Sequence, residues 1–189
     1  MNPARKRRLR TKAARPHSAA RARLAIDIVL DSPLWKAEPS VRAVLRRAVN
    51  AAAAMAATRG GELAIVLTDD SAIRALNRDW RGKDTATNVL SFPAPASLPG
   101  RGRRPRLFGD IVIAYETMAR EASAEARPFR HHLTHLAVHG FLHLLGHDHV
   151  ADAEAEAMEA LEIAVLARLD VPNPYSSPPL PAQTAGRRA

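Results

Sequence analysis

Two short, nearly continuous apolar runs, LAIDIVL (24 to 30) and ELAIVLT (62 to 68), predict strands. Between them, the Ala-rich stretch from Ser40 to Thr58 predicts a helix ended by Arg59-Gly60-Gly61. After the second strand, Asp69 or Asp70 can cap a helix running through Trp80, with Ile73, Leu76 and Asn77 on a helical period. After the loop RGKDTA (81 to 86), TNVLSFP, stopped by Pro93, and LFGDIVIA predict two further strands, with the loop PGRGRRPR between them. Helices follow from about Arg130 to Leu145 and from Asp152 to Leu169, and no segment repeats. This order predicts an α+β domain, a mixed β-sheet packed with helices.

The two ends depart from the pattern. Residues 1 to 22 read as a disordered basic arm, 23 to 171 as one domain, and 172 to 189, with five Pro, as a disordered or docked tail. The net charge of +9 suggests a nucleic-acid binder until it is located: nine of the 28 Lys and Arg precede residue 24, and no acid does. The 19 that remain balance 19 acids, so the excess belongs to the arm. That arm can hold polyanions nonspecifically but has no aromatic residue to stack on a base. The acid-free start shares a transit peptide's composition, yet with one Leu before Leu24 it makes a poor amphipathic helix. No apolar run is long enough to span a bilayer and no secretory signal is present, so the expectation is a soluble, cytoplasmic protein with no membrane partner.

The chain has no Cys, which excludes thiolate metal sites and leaves His and carboxylate as ligands. Seven of its eight histidines fall in HHLTHLAVHGFLHLLGHDH (131 to 149). His131, His135, His139 and His143 recur every fourth residue and share a helix face. They cannot all bind one ion, because two helical steps of four residues rise about 12 Å. The pair His139 and His143 stands apart, because Gly146 can end the helix and return the chain so that His149 supplies a third nitrogen. His147 competes for that third place. His131, His132 and His135 read as helix surface or as groups that steady a ligand, and Asp148 either orients an imidazole or caps the next helix.

Three His ligands leave the fourth position of zinc open, which means chemistry rather than structure alone. The spacing His-x-x-x-His-x-x-Gly-x-x-His is similar to that of metzincin metalloproteases, and it predicts a zincin-like arrangement in which a metal-binding helix is followed by a Gly turn. Those enzymes carry Glu directly after the first His as general base. Here that position is Gly140, and no Met-turn follows.

HGFLHLLGHDH resembles instead the signature of the YbeY family of bacterial metal-dependent endoribonucleases. LNRDWRGKDTATNVLSFP (76 to 93), FGDIVIA (108 to 114) and MEALE (158 to 162) match in order, so the resemblance covers roughly residues 24 to 175; Ala86 stands where the family often has Pro. It implies a single-strand-preferring endoribonuclease acting in 16S rRNA 3′ maturation and ribosome quality control. Its partners would be single-stranded RNA, rRNA and the small ribosomal subunit, with no DNA specificity. It also implies one zinc ion on His139, His143 and His149, and catalytic roles for His139 and Arg81. Guanidinium suits a phosphate because it forms paired hydrogen bonds and stays charged. Lys83 reads as a solvated loop charge, while Asn88 and Ser91 either line the cleft or finish a strand. Two other readings stand beside the nuclease: a ribosome-assembly RNA-binding factor with structural zinc, and a metallopeptidase.

Overall fold

A computed structural model describes residues 24–58, 60–95, 106–147 and 152–176. Four strands, β1 (Leu24–Leu30), β2 (Gly61–Thr68), β3 (Val89–Pro93) and β4 (Leu107–Ala114), form one sheet in the order β1-β2-β4-β3. The first three in that order are parallel and β3 runs antiparallel to β4, so the sheet is mixed, as predicted. The five helices are α1 (Val41–Met55), α2 (Asp70–Arg81), α3 (Tyr115–Ala124), α4 (Phe129–Leu144) and α5 (Asp152–Ala167). No helix among the described residues is long and apolar enough to cross a membrane.

Alternate residues of the strands serve the two faces. Ile28, Leu63, Ile65, Leu67, Ile111 and Ile113 join the main core with residues of α1, α4 and α5. Leu90, Val112 and Ala114 meet Ile73 of α2 on the other face. A short 3₁₀ turn that the pattern did not reveal, Pro33–Ala37, plants the fully buried Trp35 in the main core. The indole N–H of Trp35 donates to the Thr68 carbonyl at 2.8 Å, and its ring meets Tyr115 edge-on.

Helix α3 was not predicted. It follows β4 without a turn, and its caps are not local. Asp70 Oδ1 accepts from the N–H of Thr117 at 3.0 Å, while Glu116 accepts from the N–H of Asp70 at 2.9 Å. The starts of α2 and α3 thus satisfy each other's unpaired donors. Asp69 is the N-cap of α2, accepting from Ala72 N–H at 3.1 Å. Helix α1 ends at Met55, short of the predicted Thr58, because Ala57 takes a left-handed conformation (φ 51°) and the Thr58 N–H turns back to the Ala53 carbonyl.

Candidate metal centre

Helix α4 is the central helix of the fold, touching α1, α3, α5, β3 and β4. Leu133, Leu136, Ala137, Val138, Phe141 and Leu142 are buried around most of its circumference, and past Phe129 and Arg130 a narrow stripe of half-buried histidines escapes. Gly140 lets it lie close to the sheet: a Cβ there would sit 2.9 Å from Ile111 Cγ2 and 3.1 Å from Ser91 Oγ. The position where a metzincin carries its general base therefore faces packed sheet. The helix ends as predicted at Gly146 (φ 91°), with His147 N–H returning to the Leu142 carbonyl at 3.1 Å and Gly146 N–H to that of His143 at 3.0 Å.

Beneath the stripe lies Glu162 of α5, fully buried. Its carboxylate faces His139 Nδ1 at 2.8 Å and His135 Nε2 at 2.9 Å, and it accepts from the Tyr175 hydroxyl. Burial pushes this carboxyl up, but the hydrogen bonds from His135, His139 and Tyr175 outweigh it and hold the group at about 2. An ionised carboxylate only accepts, so His139 presents its Nδ1–H to Glu162 and turns Nε2, the lone-pair atom of an imidazole that binds metal, away from it. Burial and the neighbouring Glu162 carboxylate likewise push the Tyr175 hydroxyl well above its ordinary value, so it remains a donor.

His143 Nε2 lies 3.1 Å from His139 Nε2. Two imidazole nitrogens on one tetrahedral zinc, each at about 2.0 to 2.1 Å, would be about 3.3 Å apart, so this pair fits an ion with little movement. The charge fits as well. Among the described residues no Lys or Arg pairs with Glu162, so its buried negative charge lacks a permanent counter-ion. His135, His139 and Glu162 also form a group that could hold a metal, their donor atoms all lying within 4.8 Å of one another. Contacts of 2.8 and 2.9 Å with a carboxylate are, however, hydrogen-bond distances.

His139 and His143 open onto a cleft of about 670 Å³, shared with Arg81, Lys83, Ser91 and His147. Arg81 was expected in a loop, but it is the exposed last residue of α2, which continues one residue past Trp80 because Gly82 takes the left-handed C-cap conformation (φ 69°). Ser91 Oγ donates to the Gly140 carbonyl at 3.2 Å, while Asn88 is drawn to Glu121 at 2.8 Å and is absent from the cleft lining. His132 is buried against Glu121, and His131 lines a separate hollow with Val44 and Leu169. His149 and Asp148 lie outside the described residues.

Sequence reasoning gave no role to Glu162 or Tyr175. The signal for Glu162 was a carboxylate on the inward face of α5, in step with Met158, Val165 and Leu166. Tyr175 carried none, since it sits in the Pro-rich tail.

The family model described as Endoribonuclease YbeY matches residues 32–170. A Rhodopseudomonas palustris protein of that description is 54% identical over 157 residues, covering 80% of this chain and 90% of its own. One from a Bradyrhizobium species is 53% identical, covering 79% and 91%. The solution structure of a Thermotoga maritima protein aligns with a TM-score of 0.47 at 21% identity, covering 82% of this chain and 99% of that one. With the family match spanning most of its length and more than half of the aligned residues shared with the Rhodopseudomonas and Bradyrhizobium proteins, the chain belongs to the YbeY family of endoribonucleases.

Proposed function

We propose that this chain is a zinc-dependent endoribonuclease that hydrolyses phosphodiesters of single-stranded RNA. We place its work in the cytoplasm, at the 3′ end of 16S rRNA and in quality control of the small ribosomal subunit. Its catalytic domain spans residues 23–171, flanked by the basic arm and the Pro-rich tail. The observation that carries this reading is the convergence of His139 Nε2 and His143 Nε2, 3.1 Å apart, in the cleft that also holds Arg81.

His139, His143 and His149 would hold the ion. Nitrogen-only donors in a chain without Cys suit zinc. When bound, zinc supplies Lewis acidity, polarising a phosphoryl oxygen and acidifying water at neutral pH. The protein's own groups prepare the rest. Glu162 and Tyr175 keep the His139 lone pair aimed at the cleft. Arg81 offers a planar pair of N–H donors to the non-bridging oxygens of the scissile phosphate, where charge grows in the transition state. Lys83 adds a second, more mobile cation on the same wall. The packing around Gly140 argues against a peptidase, because a Glu there would collide with Ile111 rather than reach the cleft.

The test is cleavage of single-stranded RNA and of casein by zinc-loaded protein, with and without chelator. RNA should be cut only without chelator, and casein not at all. RNA binding without cutting would replace the nuclease by an assembly factor, and casein cleavage would restore the peptidase. Metal analysis of His143→Ala and His135→Ala separates the two donor groups. The first should lose stoichiometric zinc and the second retain most of it; the reverse would place the ion at His135, His139 and Glu162.

A further inference from the structure

Beyond the histidine cleft, the chain has eight aromatic side chains, and seven are buried, half-buried or, like Tyr175, tied to another group. The exception is Trp80, 72% exposed, one residue before Arg81. A single exposed hydrophobic residue needs no explanation. Its setting is more informative. Its ring is steadied edge-to-face by Phe92 at 5.7 Å, leaving indole surface free. It borders a groove of about 920 Å³ on the α2 side of the sheet, which meets the histidine cleft across β3, sharing Ser91 and Pro93.

The two hollows divide their charges. Arg81 and Lys83 line the histidine cleft. Among the described residues that line the groove there is no Lys or Arg; it is walled by apolar Leu76, Trp80 and Phe92, with Asp27, Glu62 and Asp110 among the others. A phosphate is attracted to the first and repelled by the second, whereas an uncharged, flat base gains from aromatic and apolar surface in the second. Since Trp80 and Arg81 are consecutive, a phosphate at Arg81 leaves a neighbouring base within reach of the indole.

We infer that Trp80 is a stacking platform for a nucleobase of the single-stranded RNA adjoining the scissile phosphate. This inference rests on the RNA reading of the histidine cleft and adds to it a subsite that holds base rather than backbone. Stacking tolerates any base, so the subsite favours unpaired strands without setting sequence.

The experiment uses the full chain in chelator, where the RNA stays uncut, and again with one equivalent of zinc on a phosphonate-linked decamer that resists hydrolysis. Trp35 is fully buried, so changes in emission on adding ligand report mainly on Trp80. A single-stranded RNA decamer should quench that emission saturably. An abasic ribose-phosphate decamer should bind more weakly and leave the emission unchanged. Affinity is read separately from the anisotropy of a labelled decamer. Trp80→Leu should bind roughly 10- to 100-fold more weakly, and Trp80→Phe should recover much of the loss. The salt slope distinguishes stacking from charge: Trp80→Leu should leave it unchanged, whereas Arg81→Ala should flatten it by about 0.7, one phosphate contact. Because Trp80 is exposed, both variants should melt close to wild type. RNA binding by anisotropy without quenching, or equal affinity of Trp80→Leu, overturns the stacking platform and leaves the RNA reading standing. No binding by wild type in either condition removes both. Emission that follows protein concentration rather than RNA would make the groove a self-association face and overturn the proposal.

Discussion

Replacing Glu162 by Gln changes one oxygen to an NH₂ group and tests how the His139 ring is set. The carboxylate accepts three hydrogen bonds, from His139, His135 and Tyr175. An amide oxygen retains at most two of these, and its NH₂ then confronts a donor. At least one charge-assisted bond is lost, about 1.5 to 3 kcal/mol in a buried site. The ring can escape the clash by moving its proton from Nδ1 to Nε2, but that places hydrogen on the atom that would ligate zinc in the proposed site. Two effects should therefore appear together. In chelator, the melting temperature should fall by roughly 4 to 8 °C, taking about 2 kcal/mol at about 2 to 4 °C each. Zinc affinity, measured by competition with a chromophoric chelator, should fall roughly 10- to 100-fold. Tyr175→Phe, which leaves both imidazole bonds intact, should show smaller changes of the same sign. A Glu162→Gln protein with wild-type melting and zinc affinity within twofold of wild type would refute the idea that this carboxylate sets the ring.

Gly140→Ala gains about 1 kcal/mol of helix propensity but overpacks against Ile111, fully buried, at a cost of about 1 to 3 kcal/mol, so urea melts should show no gain and up to about 2 kcal/mol of loss. Arg81→Ala should keep zinc content and melting temperature while RNA cleavage falls by a factor on the order of 100 to 1,000. Arg81→Lys should restore part of that rate; equal rates for all three proteins at matched zinc would remove Arg81 from the site. Asp69→Ala removes the cap of α2 and should cost about 1 kcal/mol at pH 7 by urea melt. The Ser71 hydroxyl and the Ala72 N–H hold the Asp69 carboxyl below its ordinary 3.8, so its contribution is complete above that value and lost as pH falls through the lower folded value. The gap between Asp69→Ala and wild type should therefore close in acid; a gap that persisted would point to lost packing instead.

What could be read from the sequence was what neighbouring residues decide. The strand at Leu24–Leu30, the cap at Asp69 and the turn at Gly146 each depend on a few adjacent side chains. Helix α3 escaped because its capping carboxylate, Asp70, is 47 positions from the Thr117 it serves. The same applies at the centre. Fourfold spacing placed His139 and His143 side by side, but nothing local indicated that Glu162, 23 residues on, would fix the proton of one of them. Tyr175 is more remote still, 40 residues from His135, in a segment whose Pro content suggested only a tail. Arg81 was assigned to a loop because Arg-Gly-Lys-Asp reads as a break, whereas Gly82 ends the helix just after it.

The order of the strands bears on how the protein is made. β4 lies between β2 and β3, so β3 has no neighbour in the sheet until residues 107–114 have been synthesised. Arg81 emerges first, the two histidines some sixty residues later, and the carboxylate and hydroxyl that hold His139 come from residues 162 and 175. A chain still being translated, or broken off before α5, has the cleft's cation and imidazoles without the group that orients them. Domains fold from the N-terminus as they emerge, yet the carboxylate and hydroxyl that set the His139 ring join it only when nearly all of the described chain has been made.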